Sequence, residues 1–249
     1  MIMNLQYNHY MRTDFEPDRW QPIYVISDIH GNLTALETFL KKVKVNPRNI
    51  ICLGDVIDYG PNSVKCLQMI FDAGIFMIAG NHERLLTDHE LRKRLKADRG
   101  RESIAITEKE FKAYPDLVNA IDKLRESYAI NFSGKYIHFS HSGLIDKIWG
   151  DLDEELRINK EMYFVDKNNL YVHGHTHVPE YRMHKETGAY ILNCGSIGQP
   201  RNNTPRMSYA KIDPDLSIEI CYLTYDVDRE VAYANPRHTY YTERLKCGK

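Results

Sequence analysis

The chain of 249 residues is long enough for one full α/β domain or at most two small ones. Hydrophobic residues make up 43% and charged residues 27%, an ordinary globular composition that excludes a fibrous or wholly disordered chain. The 33 Lys and Arg nearly balance the 34 Asp and Glu, and no apolar run approaches the ~18 residues of a membrane span. Neither a general attraction to nucleic acid nor a membrane location is therefore predicted.

Short apolar runs alternate with helical patterns through the first eighty residues. Three runs rich in β-branched residues predict strands over 23–26, 50–53 and 75–78. Between them, apolar spacing predicts one helix after the capping residue Asn32 and another after Pro61. The order β-α-β-α-β predicts parallel neighbouring strands with helices on the faces of the sheet.

The remaining sequence predicts a helical insertion and further strands. The insertion, at about 84–127, is charged and mostly helical in pattern. Later strands are predicted over 136–139, 170–172, 190–192, 207–210 and 218–220, as a largely separate sheet layered on the first. We expect a single domain over 21–249, preceded by a disordered or partner-contacting N-terminal arm over 1–20.

Polar residues stand wherever a predicted strand ends. The five segments are DIHGN at 28–32, GDVID at 54–58, GNHE at 80–83, SHSG at 140–143 and GHTH at 174–177. Ligands of open α/β sheets bind outside the carboxyl ends of the strands. We therefore expect these segments to deliver Asp, Asn and His side chains to one edge.

Seven of these side chains have the chemistry of metal ligands. They are Asp28, His30, Asp55, Asn81, His141, His175 and His177. Asp28 and His30 are two residues apart, as are His175 and His177, so in extended backbone the members of each pair point the same way. Mixed imidazole and carboxylate ligands suit Zn, Fe, Mn, Ni or Co better than Ca or Mg. Seven ligands exceed the need of one ion, which predicts two divalent transition-metal ions sharing a bridging carboxylate.

The five motifs, in this order, resemble the calcineurin-like metallophosphoesterase superfamily over about residues 22–224. Residues 193–201, NCGSIGQPR, resemble the NPGSVGQPR signature of a small bacterial branch of phosphatases and phosphodiesterases, with Cys194 at the usual proline. The resemblance implies a four-layer α/β/β/α sandwich, in which two mixed sheets are flanked by helices. It also implies a dinuclear site of Mn, Fe, Zn or Ni.

The resemblance assigns a role to each motif residue. It implies that Asp28, His30 and His177 hold one ion, that Asn81, His141 and His175 hold the other, and that Asp55 bridges both. A hydroxide bridging the ions would attack phosphorus in line with the leaving oxygen. His82 matches the catalytic histidine that protonates the leaving group or hydrogen-bonds to it. Asp58 matches the carboxylate that orients this histidine in the protein-phosphatase branch, although an exposed turn carboxylate would have the same sequence.

Two departures from the protein Ser/Thr phosphatases of this superfamily bear on the substrate. Those enzymes read GDxVDRG and RGNHE, and both arginines grip phosphate, whereas Tyr59 and Ala79 occupy these places here. This chain therefore lacks two arginines that would each hold phosphate through two hydrogen bonds. Their absence favours small phosphomonoesters or phosphodiesters, nucleotides among them, over phosphoproteins as substrates. Asn32 and Arg201 are further candidate phosphate contacts, against the alternatives of a helix cap and a surface arginine.

Two alternative functions stay open. A nuclease or cyclic-nucleotide phosphodiesterase would use the same residues on nucleic acid or nucleotide diesters. The basic run at 92–101 would then lie on the rim of the site, but it holds no aromatic residue, so a solvated helix face is favoured and nucleic acid is the less favoured partner. A non-catalytic binding module on the same fold is disfavoured because no ligand of the pattern is lost.

The cysteines and the N-terminus predict a cytoplasmic protein. The five cysteines are odd in number and none shares C-x-x-C spacing, which disfavours disulfide frameworks and thiolate zinc sites and fits a reducing compartment. Residues 1–20 lack the apolar core of a secretory signal. The native metal, the physiological substrate and the oligomeric state stay open.

Overall fold

The structure is a computed structural model that describes residues 11–95, 97–162, 165–234 and 238–249. Its strands are β1 (Ile23–Ile26), β2 (Ile50–Cys52), β3 (Phe76–Met77), β4 (Ser127–Phe132), β5 (Lys135–Ser140), β6 (Leu170–His173), β7 (Glu180–Met183), β8 (Tyr190–Asn193), β9 (Met207–Ile212) and β10 (Ile218–Leu223). Its helices are α1 (Leu33–Lys42), α2 (Ser63–Asp72), α3 (Asn81–Thr87), α4 (His89–Arg92), α5 (Asp98–Phe111), α6 (Pro115–Asp122), α7 (Leu152–Ile158), α8 (Val227–Tyr233) and α9 (Thr239–Cys247). None of these helices is both long enough and apolar enough to cross a membrane.

The strands form two mixed five-stranded sheets. The first has the order β10-β9-β1-β2-β3, in which β1, β2 and β3 are parallel as predicted. The second has the order β4-β5-β6-β8-β7, with β5, β6 and β8 parallel. The carboxyl ends of β1, β2, β3, β5 and β6 therefore carry the motif loops.

The placement of β9 and β10 differs from the sequence-based expectation. Both were predicted in the second sheet, but β9 pairs antiparallel with β1, where Val25 lies opposite Ala210, and so completes the first sheet. Nearly every residue of β9 is buried, which suits an interior strand, whereas β10 alternates between exposed and partly buried residues and forms the edge. A run of buried residues is equally compatible with the interior of either sheet.

Apolar contacts stack the elements in four layers. Between the sheets, Val25 and Leu53 of the first meet Phe139 and Val172 of the second in one cluster. The other face of the first sheet packs on α1 and α2, and the other face of the second packs on α7 through Leu156. The α/β/β/α sandwich implied by the resemblance is confirmed.

The helices that follow β3 and the N-terminal segment lie outside the two sheets. Four helices, α3 to α6, lie between residues 81 and 122, where a helical insertion was predicted. Within the N-terminal arm, Phe15 is buried, and its ring stacks on Phe76 at 5.6 Å and meets the edge of Phe139 at 6.0 Å. Phe15 therefore packs against the apolar residues between the two sheets. Residues 1–10 lie outside the described residues.

Candidate metal centre

The seven predicted ligands lie together in the structure. Asp28 and His30 follow β1, Asp55 follows β2, Asn81 begins α3, His141 follows β5, and His175 and His177 follow β6. Six of them are buried and His175 is half-buried. Since the ligands come from both sheets, the site lies where the loops of the two sheets meet.

One cluster joins Asp28, His30 and His177. Asp28 Oδ1 lies 3.1 Å from His177 Nε2 and 3.9 Å from His30 Nε2. The two Nε2 atoms are 3.2 Å apart. These three ligand atoms all lie within 4.8 Å of one another, a spacing that suits a single ion.

A second cluster joins Asp55, Asn81, His141 and His175. Asn81 Oδ1 lies 3.0 Å from both His141 Nε2 and His175 Nδ1, and His141 Nε2 lies 3.3 Å from Asp55 Oδ2. The same Asp55 oxygen is 3.7 Å from His30 Nε2 of the first cluster. Asp55 therefore stands between the two clusters.

Backbone carbonyls fix the orientation of three of the rings. The Nδ1 atoms of His30, His141 and His177 lie 3.2, 2.9 and 2.6 Å from the carbonyl oxygens of Ile57, Leu53 and Gln199. A carbonyl only accepts, so each Nδ1 carries the donated proton and each neutral ring turns its unprotonated Nε2 toward the centre. The facing lone pairs of His30 and His177 repel each other unless a cation lies between them.

The remaining donors also fit a cation. Asp28 Oδ2 accepts a hydrogen bond from the His175 backbone N–H at 3.0 Å, but the buried Asp28 Oδ1 has no hydrogen-bond donor. A buried carboxylate oxygen without a donor is costly unless a cation neutralises it. The set of imidazole nitrogens and carboxylate oxygens therefore fits a transition-metal ion.

Without a metal, the charge of Asp55 influences which ring of the second cluster is protonated. Burial opposes protonation of His141, but Asp55 outweighs it and raises the pKa of this ring to about 9. His175 shows the opposite shift, because burial and the neighbouring His141 lower its pKa to about 4. The His141 imidazolium therefore occupies a position where a metal ion would balance the Asp55 charge.

Left-handed backbone brings these side chains together. Asp28, His30, Asp55, His175 and His177 have φ values of 55, 48, 53, 63 and 62°. The expectation that alternation along extended backbone aligns each pair was wrong, because tight turns, and not strand geometry, direct these side chains to the centre. Each such residue costs roughly 1–2 kcal/mol, and strain of this kind clusters at functional sites.

His82 and Asp58 form a buried pair beside the centre. His82 Nδ1 lies 2.6 Å from Asp58 Oδ2, and His82 Nε2 lies 3.8 Å from Asp55 Oδ2. Burial alone would lower the pKa of His82, but the charges of Asp55 and Asp58 outweigh it and raise the pKa to about 9. Asp58 is fully buried, which excludes the exposed turn carboxylate.

Comparison with known proteins identifies the family. Residues 22–215 match the profile of the calcineurin-like phosphoesterase superfamily domain. The protein belongs to this superfamily. A metallophosphoesterase from Sphaerobacter thermophilus has the same fold, with a TM-score of 0.74 and 25% identity over 92% of this chain and 99% of that one.

This phosphoesterase is similar in sequence to two curated proteins. It is 29% identical to an uncharacterized protein of Methanocaldococcus jannaschii over 91% of this chain and 98% of the relative. It is also 34% identical to a symmetrical bis(5'-nucleosyl)-tetraphosphatase of Wigglesworthia glossinidia brevipalpis, over 59% of this chain and 53% of that enzyme. Family membership and phosphatase relatives support phosphoester hydrolysis with divalent metal ions.

The two candidate phosphate contacts of the phosphoesterase differ in how fully their side chains are hydrogen-bonded within the protein. Asn32 accepts a hydrogen bond from Ala35 N at 2.9 Å and donates to Gly198 O at 2.8 Å and to Tyr225 Oη at 3.0 Å. Asn32 therefore caps α1, and both hydrogens of its amide are engaged within the protein. Arg201 is half-buried and donates one N–H to Gln199 Oε1 at 3.0 Å, while its buried Nε has no partner.

The basic run is largely paired with acidic side chains. Arg92 lies 2.9 Å from Glu108, and Arg101 lies 3.5 Å from Asp98. Lys96 lies outside the described residues. This pairing agrees with a solvated helix face more than with a surface for nucleic acid.

Glu83 supports the site in a way that the sequence reasoning missed. Its carboxylate accepts hydrogen bonds from the backbone N–H groups of Asp55 at 2.7 Å, Val56 at 2.9 Å and Gly80 at 2.8 Å. Burial and the charge of Asp55 raise the pKa of Glu83. Its place directly after His82 in the GNHE motif was the available signal.

Two hydroxyl groups of α5 were also missed. Ser103 Oγ and Thr107 Oγ1 donate to Asp58 Oδ1 at 2.6 and 2.8 Å. The two residues are four apart and so share one face of the helix. No motif includes them, and they lie 45 and 49 residues from Asp58, so no local signal could have identified them.

Proposed function

We propose that the protein hydrolyses small phosphomonoesters or phosphodiesters at a centre of two divalent transition-metal ions, of Mn, Fe, Zn or Ni. The observation that carries this proposal is the orientation of the rings: three carbonyls accept from Nδ1–H groups and turn the Nε2 atoms, which bind a metal when unprotonated, toward two clusters that share Asp55. This arrangement has little purpose in a non-catalytic module, and the buried His82–Asp58 pair adds a proton donor.

The ligand groups follow the two clusters. Asp28, His30 and His177 would hold one ion, Asn81, His141 and His175 the other, and Asp55 both. Bound ions of this kind polarise the phosphoryl oxygens and lower the pKa of water toward ~7, which supplies a nucleophile at neutral pH. By accepting from the Nδ1–H groups, the carbonyls would keep the Nε2 lone pairs of the rings directed toward bound ions.

His82 and Asp58 complete the reaction at the leaving group. His82 holds a proton at Nε2, close to Asp55 and therefore close to the phosphoryl group, and transfers it to the leaving oxygen. Asp58 fixes the ring and stabilises its charged form. We further propose that residues 21–249 act as one catalytic domain and that the helical insertion at about 84–127 shapes the substrate pocket.

The proposal is tested with chelated enzyme that is reconstituted separately with Mn, Fe, Zn and Ni. We expect about two ions per chain and metal-restored turnover of p-nitrophenyl phosphate or bis-p-nitrophenyl phosphate, and the ratio of their rates separates phosphatase from phosphodiesterase. Asp55→Asn should lose most activity and at least one ion, whereas Asp72→Asn, at an exposed position at the end of α2, should match the wild type. Full turnover and two ions in Asp55→Asn would contradict the proposal.

A further inference from the structure

The loop that carries two of the proposed ligands crosses the end of a strand. Residues 174–179 join β6 to β7, but the order of the second sheet places β8 between these two strands. The loop therefore passes over the carboxyl end of β8. Asn193, the last residue of β8, lies opposite His173 of β6 and Glu180 of β7 and so stands where the loop crosses.

The Asn193 side chain holds the crossing loop at two points. Its Nδ2 atom donates to the backbone oxygen of Gly174 at 2.7 Å and to Thr176 Oγ1 at 3.0 Å. Its Oδ1 atom accepts from the backbone N–H of Gly195 at 2.8 Å. A carbonyl only accepts and a backbone N–H only donates, so these partners fix the orientation of the fully buried amide.

The turn that Asn193 holds supplies a ligand to each cluster. His175, of the second cluster, and His177, of the first, lie on either side of Thr176, and both have left-handed backbone, with φ values of 63 and 62°. Left-handed backbone is unfavourable for these residue types and persists only where the surroundings hold it. The hydrogen bonds of Asn193 to Gly174 and Thr176 are part of those surroundings.

The segment that follows β8, residues 195–201, holds further groups of the first cluster. Ser196 Oγ donates to Asp28 O at 2.7 Å, and Gln199 O lies 2.6 Å from His177 Nδ1. The amide oxygen that ends β8 engages the first N–H of this segment. One side chain therefore ties together two loops that position the proposed ligands.

We infer that Asn193 is a positioning residue for both metal ions, since through one turn it sets the place of His175 for one ion and of His177 for the other. This inference rests on the proposed function of the centre. Replacing a ligand of one cluster acts mainly on the ion of that cluster, whereas a residue that fixes the shared turn acts on both. The loss of Asn193 should therefore weaken the binding of both ions together and alter their spacing.

The first test measures Mn²⁺ binding by calorimetry without substrate. Asn193→Ala should raise the Kd of both ions about tenfold, because residues that orient metal ligands contribute about 10- to 100-fold to affinity. His175→Ala should weaken mainly one ion. Asn49→Ala is the matched control, since Asn49 is equally buried and its amide donates to the carbonyls of Asp18 and Pro22, before β2 and at the opposite end from the motif loops.

Both asparagine variants should lower the free energy of unfolding in urea, but only Asn193→Ala should change the Kd of Mn²⁺. Unchanged Kd values in Asn193→Ala would overturn the inference. It would also be overturned if Asn49→Ala weakened Mn²⁺ binding as much as Asn193→Ala, because the effect would then follow from general destabilisation.

Thr176→Val is the second variant and covers the case in which Asn193→Ala does not fold. Thr176 is exposed, and the change removes one acceptor of the Asn193 amide while keeping the shape of the side chain. At equal metal loading, the EPR spectrum of Mn²⁺ separates a coupled pair of ions from isolated ions. We expect Thr176→Val and Asn193→Ala to change this coupling and Asn49→Ala to keep it, and an unchanged spectrum in Thr176→Val would overturn the inference.

The wild type separates failure of this inference from failure of the proposed function. If the wild type binds two ions and hydrolyses p-nitrophenyl phosphate but the variants bind Mn²⁺ equally well, the positioning role of Asn193 fails and the proposed function stands. If the wild type binds no Mn²⁺ and no phosphoester is hydrolysed with any metal, the proposed function fails and this inference fails with it.

Discussion

Replacing Asp58 with Asn tests the buried pair beside the metal centre. The change keeps the size of the side chain and removes the charge that lies 2.6 Å from His82 Nδ1. Ser103 and Thr107 donate to Asp58 Oδ1, so the amide oxygen of the substituted side chain would stay with these hydroxyls and its N–H groups would face His82. His82 must then accept at Nδ1 and keep its proton on Nε2 as a neutral ring, which is a far weaker acid than an imidazolium.

The expected loss follows from the strength of that contact. A hydrogen bond to a charged group contributes about 1.5–3 kcal/mol, and each 1.4 kcal/mol is a tenfold change in rate. We therefore expect kcat to fall about 10- to 150-fold for a substrate with a poor alkoxide leaving group. The loss should be much smaller for p-nitrophenyl phosphate, because its leaving group departs without a proton.

The assay compares an alkyl phosphate with p-nitrophenyl phosphate on reconstituted enzyme, with the metal content measured in parallel. Asp72→Asn is the control, because Asp72 is exposed at the end of α2. An equal loss for both substrates would show that Asp58 does not act through the leaving group. Unchanged turnover of both would refute the catalytic role of the pair.

Three further perturbations follow from the contacts of the site. Ser103→Ala combined with Thr107→Val should lower kcat for the alkyl phosphate by up to about tenfold and leave the metal content unchanged. The reason is that the two hydroxyls donate to Asp58 and do not contact the metal ligands. An unchanged kcat would show that α5 does not position the His82–Asp58 pair. Removing the metal by chelation should lower Tm by about 5–10 °C in calorimetry. A metal present at a hundred times its Kd stabilises the folded state by about 2.7 kcal/mol, and chelation removes this contribution. An unchanged Tm would argue against a metal bound to the folded state. Glu83→Gln should lower the free energy of unfolding, measured in urea, by about 2–3 kcal/mol. A single amide oxygen cannot accept from all the backbone N–H groups that donate to Glu83. A change below about 0.5 kcal/mol would contradict the supporting role of Glu83.

The sequence was sufficient to predict the loops of the site, because the residues of each loop are close together in the chain. Strand ends followed by Asp, Asn and His predicted the loops that meet in the structure, because parallel strands of one sheet carry their loops to the same edge. It was insufficient where a contact joins distant parts of the chain. The pairing of β9 with β1 and the hydrogen bonds from Ser103 and Thr107 to Asp58 depend on packing, which no spacing rule describes.

Asn32 illustrates a different limit. A cap and a phosphate contact require the same side chain at the same place, directly before a helix and beside a motif. Only the full set of its hydrogen bonds, to Ala35, Gly198 and Tyr225, decides between the two roles. Two of these partners come from the far end of the chain, so the decision lies in the tertiary structure.

The candidate centre is built at a cost that the rest of the fold must offset. Five ligand residues in left-handed backbone cost roughly 5–10 kcal/mol together, which is comparable to the whole net stability of a typical domain. Glu83 and the loop at 195–201 offset part of it: Glu83 holds the Asp55 turn, and Ser196 Oγ donates to Asp28 O at 2.7 Å. These supports act on backbone groups of Asp55 and Asp28 and do not use the side-chain atoms that would bind the ions. They therefore stabilise the turns independently of those atoms, and we expect little of the binding energy of the ions to be spent on folding the loops.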